Sequence, residues 1–324
     1  MSSSDVTEGS EKAAMSMTKR SLLFTLMAMV MAAVGAVCWN FISASPVKDL
    51  APAMANSPDH IHLPMPEKAV IQRPTTTNEP GIFQGFATWN TGQRLKAINA
   101  IMSSPELDLD VLAFLQEKLG DKKLVESIRN NIANALIFQD RHDSQLATRF
   151  LRMVDDTSES MTWRDYALQH ASRAVLFSDQ PQPVMDRLLA LMDKGEGTLP
   201  GTAILQLNTL DRDGVLRDAS KRIDLGILAM VGNERADVGN RMSAISAMGI
   251  RGMVDHVQMV RDLVRITDDG SIKRVALATL GQIGSAPDVA LIQRYVDDTN
   301  ILVALAARGA LTRVQEKSNV KSPL

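Results

Sequence analysis

The chain has 324 residues, a formal net charge of −2 and a pI near 6.2. From Gly81 onward it contains 29 Lys and Arg residues and 30 Asp and Glu residues. A protein that holds nucleic acid through its phosphates would show a basic excess, so this balance predicts no nucleic-acid partner. Aromatic residues make up only 4%, which suits close-packed helices, and the single cysteine, Cys38, excludes a disulfide or a cysteine metal site from the rest of the chain.

The first predicted element is an uncharged apolar run at residues 21–42. A helix of roughly 20 apolar residues spans a bilayer core, so this run is long enough. Lys19 and Arg20 precede it, and the positive-inside rule then places residues 1–20 in the cytoplasm. The pattern predicts a single-pass signal-anchor helix in a bacterial inner membrane, with the C-terminal domain in the periplasm.

Two other interpretations of the apolar run stay open. A cleaved signal peptide has an apolar core of about 7–15 residues followed by a small-residue site. This run is longer, and Pro46 follows the nearest such site at residues 43–45. The third interpretation is a buried core helix, although the helical array begins about fifty residues further on.

Residues 43–88 form a predicted proline-rich linker, since seven of the 13 prolines lie between residues 44 and 80. Such segments are extended, semi-rigid spacers. His60 and His62 make a His-x-His pair within it, but no third ligand is near in sequence. A structural metal site needs more ligands than two, so no metal site is predicted.

From Thr91 the sequence is helical throughout, with short connections rich in Asp, Gly, Pro and Ser. The predicted fold is all-α, an α-solenoid of stacked antiparallel helix pairs over residues 89–318, with a short tail at 319–324. After a first helix that ends before Ser104 and a second that ends at Gly120, we predict helices at about 121–138, 143–154, 160–177, 183–193, 200–210, 214–231, 235–249, 253–267, 271–283, 287–296 and 300–315.

A repeated unit in the last third supports this fold. Ala244, Ala276 and Ala307 hold equivalent places, 32 and 31 positions apart, a period typical of stacked helical arrays. The recurring alanines are predicted to let neighbouring helices approach closely. The recurring glycines are predicted at helix ends, where the left-handed conformation favours glycine; they are Gly249, Gly252, Gly281 and Gly284.

Pairs of acids also recur between helices. Residues 154–157 read Val-Asp-Asp-Thr, as do residues 296–299, and residues 267–270 are a close variant. Paired carboxylates could indicate acid–base chemistry or calcium binding, but no EF-hand pattern surrounds them. Because they recur at one place in each unit, Asp156, Asp269 and Asp298 are predicted to cap helices.

Residues 268–284 and 286–292 together resemble a HEAT repeat. More narrowly, they resemble the bacterial HEAT-like repeats first named from phycobilisome lyases. The shared pattern is an acidic turn, a basic pair, alanines, a Leu-Gly-x-Ile-Gly exit and a second helix that begins at proline. The resemblance is strong over about 235–313 and fainter at 164–171. It implies an α-solenoid that binds proteins, and it implies no reaction.

No catalytic, cofactor-binding or metal-ligating residue is predicted. Iron-dependent hydroxylases of the HEAT-like class resemble arrays with repeated His-Glu dipeptides, and none of the five histidines here is followed by Glu. The Gly-x-Ser-x-Gly and phosphate-loop patterns are also absent from the sequence.

The predicted function is therefore a non-catalytic, membrane-anchored scaffold that binds an unidentified protein partner. The alternative is a HEAT-like enzyme or enzyme-maturation factor, of lyase or hydroxylase type, secreted by a cleaved signal peptide. A purely structural spacer is the third class.

Overall fold

The computed structural model describes residues 79–320, apart from 103, 105–106, 140–144, 179 and 217–218. These residues belong to a compact unit, Pro74–Leu324. The predicted membrane span at 21–42, most of the linker and the pair His60 and His62 lie outside the described residues. Within the described ranges, no helix is long and apolar enough to cross a membrane, and the anchor stays a prediction.

Thirteen α-helices and no strand make up the regular structure of the described residues. In chain order the helices are α1 (Thr91–Ile101), α2 (Leu109–Leu119), α3 (Glu126–Gln139), α4 (Leu146–Asp155), α5 (Met161–Ala174), α6 (Gln182–Lys194), α7 (Leu199–Arg212), α8 (Ser220–Gly232), α9 (Val238–Ile250), α10 (Val257–Ile266), α11 (Gly270–Ile283), α12 (Val289–Gln293) and α13 (Ile301–Val320). The all-α fold predicted from the sequence is confirmed.

The helices pack as six consecutive pairs in two layers. The first helices of the pairs are α2, α4, α6, α8, α10 and α12, and the second helices are α3, α5, α7, α9, α11 and α13. Each second helix also packs against the second helix of the next pair, and α1 packs against α3. The core lies between the layers, as expected for an α-solenoid in which each pair covers the apolar face of its neighbour.

Helix boundaries differ from the predicted ones mainly where a turn interrupts an apolar run. The predicted helix at 214–231 begins only at Ser220, because Gly214 takes a left-handed conformation (φ +73°) after α7. The predicted helix at 287–296 is a short 3-10 turn, Ala286–Asp288, followed by the five residues of α12. The last helix extends to Val320, beyond the predicted end.

The recurring small residues lie where second helices meet. Ala244, Ala276 and Ala307 are fully buried in α9, α11 and α13. A Cβ added to Gly281 would lie 2.7 Å from the Cα of Ala310, so this glycine allows α11 and α13 to approach closely.

The repeat glycines differ from the prediction of left-handed helix ends. Gly252 does take that conformation, with φ +65°. Gly249 is a buried residue of α9, where an added Cβ would collide with Gln282 of α11. Gly284 ends α11 with φ −74°, and an added Cβ there would collide with its own helix at Leu280. Crowding, rather than a left-handed backbone, explains glycine at these places.

The recurring acids occupy three different settings. Asp269 is the N-cap of α11 and accepts hydrogen bonds from the backbone N–H of Ser271 (2.8 Å) and Ile272 (3.0 Å). Asp298 accepts from the N–H of Asn300 (2.8 Å), but the Asn300 side chain is the one that accepts from the first turn of α13, at Leu302 (3.0 Å). Asn300 therefore does the capping that was predicted for Asp298.

Asp156 follows the end of α4 and does not cap α5. Its carboxylate accepts from Ser158 N (3.0 Å) and from Lys122 Nζ (2.6 Å), which belongs to the preceding pair. The hydrogen bond from Lys122 is the main reason that the pKa of Asp156 lies well below its usual range. The N-cap of α5 is Ser160, whose Oγ accepts from Trp163 N at 3.1 Å.

Candidate functional site

Three arginines at one position of the repeat fix the second helices to the first. Arg129, Arg164 and Arg241 are each the fourth residue of a second helix, α3, α5 and α9. Each donates to a backbone carbonyl in the last turn of the preceding first helix, where carbonyls lack helical partners. The acceptors are Leu119 (2.9 Å), Val154 (2.7 Å) and Val231 (3.4 Å).

Two of these arginines also join one pair to the next. Arg129 donates two hydrogen bonds of 2.7 Å to Glu159, in the loop before α5, and the two side chains are only 2% and 5% exposed. The Arg129 guanidinium lies 4.0 Å from the centre of the buried Trp163 ring. Arg164 likewise pairs with Glu196, in the loop before α7, although the Glu196 side chain is 61% exposed. These two ion pairs thus join the helix pair that contains α5 to the pair before it and to the pair after it.

Titratable groups with displaced pKa values concentrate on α5. Among the described residues eight groups depart from their usual pKa, and half of them lie on this one helix: Asp165, Tyr166, His170 and Arg173. Such clustering marks a candidate functional site when it coincides with a defined geometry.

His170 is a buried, neutral histidine. Its side chain is 3% exposed, its ring lies 5.3 Å from that of Phe150, and its Nε2 is 2.8 Å from Asn130 Oδ1 on α3. Burial, and next the positive charge of Arg173, lowers the pKa of His170 to about 3. Because Asn130 offers an oxygen acceptor, Nε2 carries the proton, and the buried Nδ1 is left without a hydrogen-bond partner.

Asp165 and Tyr166 lie one helical turn before His170. Burial raises the pKa of the Asp165 carboxyl, which accepts hydrogen bonds from the hydroxyl groups of Thr198 and Thr202 (2.8 Å for Thr202) on the next pair. Burial also raises the pKa of Tyr166, and the negative charges of Glu126 and Asp165 raise it further. The middle of α5 thus holds one carboxyl and one phenol with a weakened tendency to ionise.

Several uncharged, half-buried residues surround this cluster. Helical spacing places them on the side of the second helices that faces away from the first-helix layer. They define what we call the α5 surface: Asn131, Tyr166, Gln169, Leu205 and Thr209. One charged side chain at its edge, Arg173, donates a 2.6 Å hydrogen bond to Asn134. The surface therefore offers mainly amide, hydroxyl and apolar groups.

Of the two array histidines that the structure describes, only His170 contributes to the cluster, since His256 is exposed; His142 lies outside the described residues. In the described part of the chain, no three His, Cys, Asp or Glu side chains lie together as a metal ion would require. The predicted repeat positions, from Asp156 to Ala307, are all outside the α5 surface.

Sequence reasoning missed the members of this cluster because they do not recur. The available signal was the departure of residues 164–171 from the repeat, where His170 and Ala171 replace the usual Leu-Gly. The arginines had a clearer signal: Arg129 and Arg164 are 35 positions apart, close to the repeat period.

Comparisons with known proteins show a likeness to a solved structure but no match to a known family. No family model matches the chain, and no curated protein matches it. The chain is similar to human deoxyhypusine hydroxylase in complex with glycerol, at 14% sequence identity and a TM-score of 0.34. The alignment covers 72% of this chain and 83% of the hydroxylase chain.

This comparison corrects two predictions. The chain was predicted to be a non-catalytic, membrane-anchored scaffold and not an enzyme, whereas the similar structure is that of an enzyme. The predictions of a non-catalytic scaffold and of no enzyme are therefore corrected, whereas the membrane anchor lies outside the described residues and stays a prediction. The helical-repeat architecture stands on the helices themselves, and the narrower resemblance to phycobilisome-lyase repeats is not confirmed. At this identity and TM-score the likeness assigns no activity to this chain.

We expect His170 to make folding sensitive to mild acid. Because its pKa is lowered in the folded protein, only the unfolded chain binds a proton between about pH 6.5 and 3. The stability that depends on neutral His170 is full above pH 6.5 and falls as the pH drops. Between pH 7.5 and 5 the loss is about 2 kcal/mol.

The measurement is urea unfolding at both pH values for the wild-type protein and for His170→Gln, which does not titrate. The glutamine variant should lose about 2 kcal/mol less than the wild type over this interval. Asp165, whose raised pKa acts in the opposite direction, is present in both proteins and cancels in the comparison. Equal losses in the two proteins would contradict a buried neutral His170.

Proposed function

We propose that the helical-repeat domain binds a polypeptide across the α5 surface, as part of an enzyme or an enzyme-maturation factor. The observation that carries the proposal is the concentration of uncharged hydrogen-bonding groups and pKa-shifted groups on α5 and its two neighbours.

A polypeptide matches the chemistry of this surface. Its backbone presents one donor and one acceptor per residue, and amide and hydroxyl side chains both donate and accept. Asn131, Gln169 and Thr209 supply such groups without a charge that would need a counter-ion. The near-neutral charge of the domain gives no basic excess that would favour a nucleic acid.

The groups behind the surface are held by partners from adjacent helices. Asn130 fixes the His170 ring, and Thr198 and Thr202 fix the Asp165 carboxyl. Side chains that bind or react must be kept in one orientation by a supporting shell. This support, together with the displaced pKa values, favours an enzyme or a maturation factor over a passive spacer.

The experiment places a photo-crosslinking amino acid at residue 169 in the full-length protein, in cells. A matched position is residue 221, an exposed lysine at the start of α8 in the other layer. We expect covalent adducts with a defined polypeptide from position 169 and not from position 221. Equal adducts from both positions would contradict the proposed surface.

The captured polypeptide is then identified and its affinity measured by fluorescence anisotropy. Gln169→Ala should weaken binding about tenfold, a loss of about 1.4 kcal/mol, whereas Lys221→Ala should leave the Kd unchanged. Intact-mass analysis of the polypeptide after incubation tests the enzyme class. A mass change that Asp165→Asn abolishes would support it, and unchanged affinity in Gln169→Ala would refute the binding site.

A further inference from the structure

The α5 surface is part of a longer uncharged face of the second helices. In α3, α5 and α9 the arginines Arg129, Arg164 and Arg241 set equivalent positions, and the second and fifth residues after each arginine are half-buried and uncharged. On α7 and on α11, two residues three positions apart are also half-buried and uncharged. We call these residues the uncharged lane: Asn131, Asn134, Tyr166, Gln169, Thr202, Leu205, Ser243, Ser246, Val275 and Ala278.

The charged groups near the lane lie beside it. Asp165 is bound by the hydroxyl groups of two threonines of α7 and its N-cap, and Arg173, at the edge, donates to Asn134 at 2.6 Å. In the first-helix layer, by contrast, α8 begins with the exposed cations Lys221 and Arg222. A charged side chain laid along the lane would lose hydration without gaining a counter-charge, which is costly. The lane therefore favours a partner segment without charged side chains.

The dimensions of the lane match one extended chain. On each helix its two residues lie three positions apart, which is about 4.5 Å along the helix axis. That distance is close to the width of one strand, about 4.8 Å, and well below the diameter of a helix, about 10 Å. Packed helices lie about 8–10 Å apart and an extended chain advances about 3.3 Å per residue, so about 12 residues cross the five helices of the lane.

The size of the lane side chains changes along the array. The second helices α5 and α7 contribute the large side chains Tyr166, Gln169 and Leu205, whereas α9 and α11 contribute two serines, a valine and an alanine. Shorter side chains leave more room above α9 and α11. The larger apolar side chains of a partner are therefore expected over these two helices.

We propose that the uncharged lane holds an extended polypeptide segment of about 12 uncharged residues, which crosses the second helices from α3 to α11. The inference rests on the proposed function and deepens it. The proposed function requires only that a polypeptide contacts α5 and its two neighbours. The lane adds the conformation of the bound segment, its length and its lack of charge.

The probe for this proposal is a phage-displayed library of random 12-residue peptides, selected on the full-length protein. We expect the enriched peptides to be poor in Asp, Glu, Lys and Arg relative to the unselected library. Enrichment of peptides rich in these four residues would overturn the proposal. A peptide half as long, made from either end of an enriched sequence, should bind at least tenfold more weakly, and a half that keeps the full affinity would also overturn it.

Fluorescence anisotropy with an enriched peptide then tests the far end of the lane. Ala278→Glu places a charge in the lane on α11 and should weaken binding about tenfold. Ala229→Glu places the same charge at an exposed position of α8, in the other layer, and should leave the Kd unchanged. Circular dichroism checks that both variants are folded, and Ser246→Glu on α9 replaces Ala278→Glu if the latter is not.

Gln169→Ala separates this inference from the proposed function. If Gln169→Ala weakens peptide binding and Ala278→Glu and Ser246→Glu do not, the α5 surface binds a polypeptide but the lane is overturned. If none of the three variants weakens binding, the lane and the α5 surface are both overturned. Weaker binding in Gln169→Ala and in Ala278→Glu, with no change in Ala229→Glu, is the result expected for one segment that spans the lane.

Discussion

Arg129→Met is expected to lower the free energy of unfolding by about 3–5 kcal/mol. Arg129 and Glu159 are both almost fully buried and share two 2.7 Å hydrogen bonds. Removing the guanidinium leaves the Glu159 carboxylate buried without a counter-charge, which is among the most destabilising changes a protein can suffer. It also removes the hydrogen bond to the Leu119 carbonyl and the contact with Trp163.

Arg308→Met is the matched control. Arg308 also donates to a backbone carbonyl, Val296 O (2.9 Å), which lies in the turn after α12, and it also contacts an acid, Asp297. Its ion pair is exposed, so the expected loss is below about 1 kcal/mol. Both variants are compared with the wild type by urea unfolding at pH 7. Similar losses would contradict the assignment of the Arg129 effect to a buried charge.

The double variant Arg129→Met/Glu159→Leu separates the two causes of the loss. If the stranded carboxylate is responsible, its removal should recover a large part of the stability, because a buried ion pair is often replaced by apolar groups at little cost. A double variant as unstable as Arg129→Met alone would instead point to the lost hydrogen bond at Leu119 and the contact with Trp163.

Gly281→Val is expected to lower the free energy of unfolding by about 2–3 kcal/mol, because side chains forced into a filled core displace their neighbours. The new Cβ would lie 2.7 Å from Ala310 Cα and 3.0 Å from Ala310 Cβ, so α11 and α13 must move apart. Since the collision is with backbone rather than with a flexible side chain, rotamer changes cannot relieve it. Thermal unfolding followed by circular dichroism measures the effect.

Gly232→Ala provides the control for the effect of losing a glycine from a helix. Gly232 is the last residue of α8, is exposed, and has nothing within 4 Å of an added Cβ. Alanine there should be neutral or should stabilise the protein by up to about 1 kcal/mol. If Gly281→Val were as well tolerated as Gly232→Ala, close approach of α11 and α13 would not be the reason for glycine at 281.

Both predictions concern the junctions between neighbouring helix pairs. Arg129 and Glu159 join one helix pair to the next near the start of the array, and Gly281 and Ala310 do so near its end. In such arrays stability is approximately a sum of unit and nearest-neighbour terms. The bound polypeptide proposed for the α5 surface would contact α3, α5 and α7 at once, so it would depend on the same junctions.

Local pattern was enough to predict the architecture. The apolar periodicity, the short connections and the recurrence of Ala244, Ala276 and Ala307 indicated stacked helix pairs, because one helix face must be buried and small residues must lie where helices meet. The cap at Asp269 could also be predicted from local sequence, since an N-cap acts on backbone groups two or three residues away.

Asp298 and Gly284 show where local pattern fails. The sequence around Asp298 repeats that around Asp156, yet Asn300 caps α13 and Ser160 caps α5. Which of several nearby polar side chains caps a helix depends on the backbone path before the helix. Gly284 was predicted to be left-handed, whereas its φ is −74° and crowding excludes a side chain. Such crowding is a property of packed neighbours.

By itself, the sequence determined that this chain forms an all-α array, because helix periodicity and capping act within a few residues. Only the tertiary structure decided that Arg129 meets Glu159, that Asn130 meets His170 and that Thr202 meets Asp165, pairs that are 30 to 40 positions apart. Each pair joins residues of neighbouring helix pairs, and for His170 and Asp165 burial also shifts the pKa. Spacing along the sequence does not record burial, which is why the α5 surface became visible only in the folded chain.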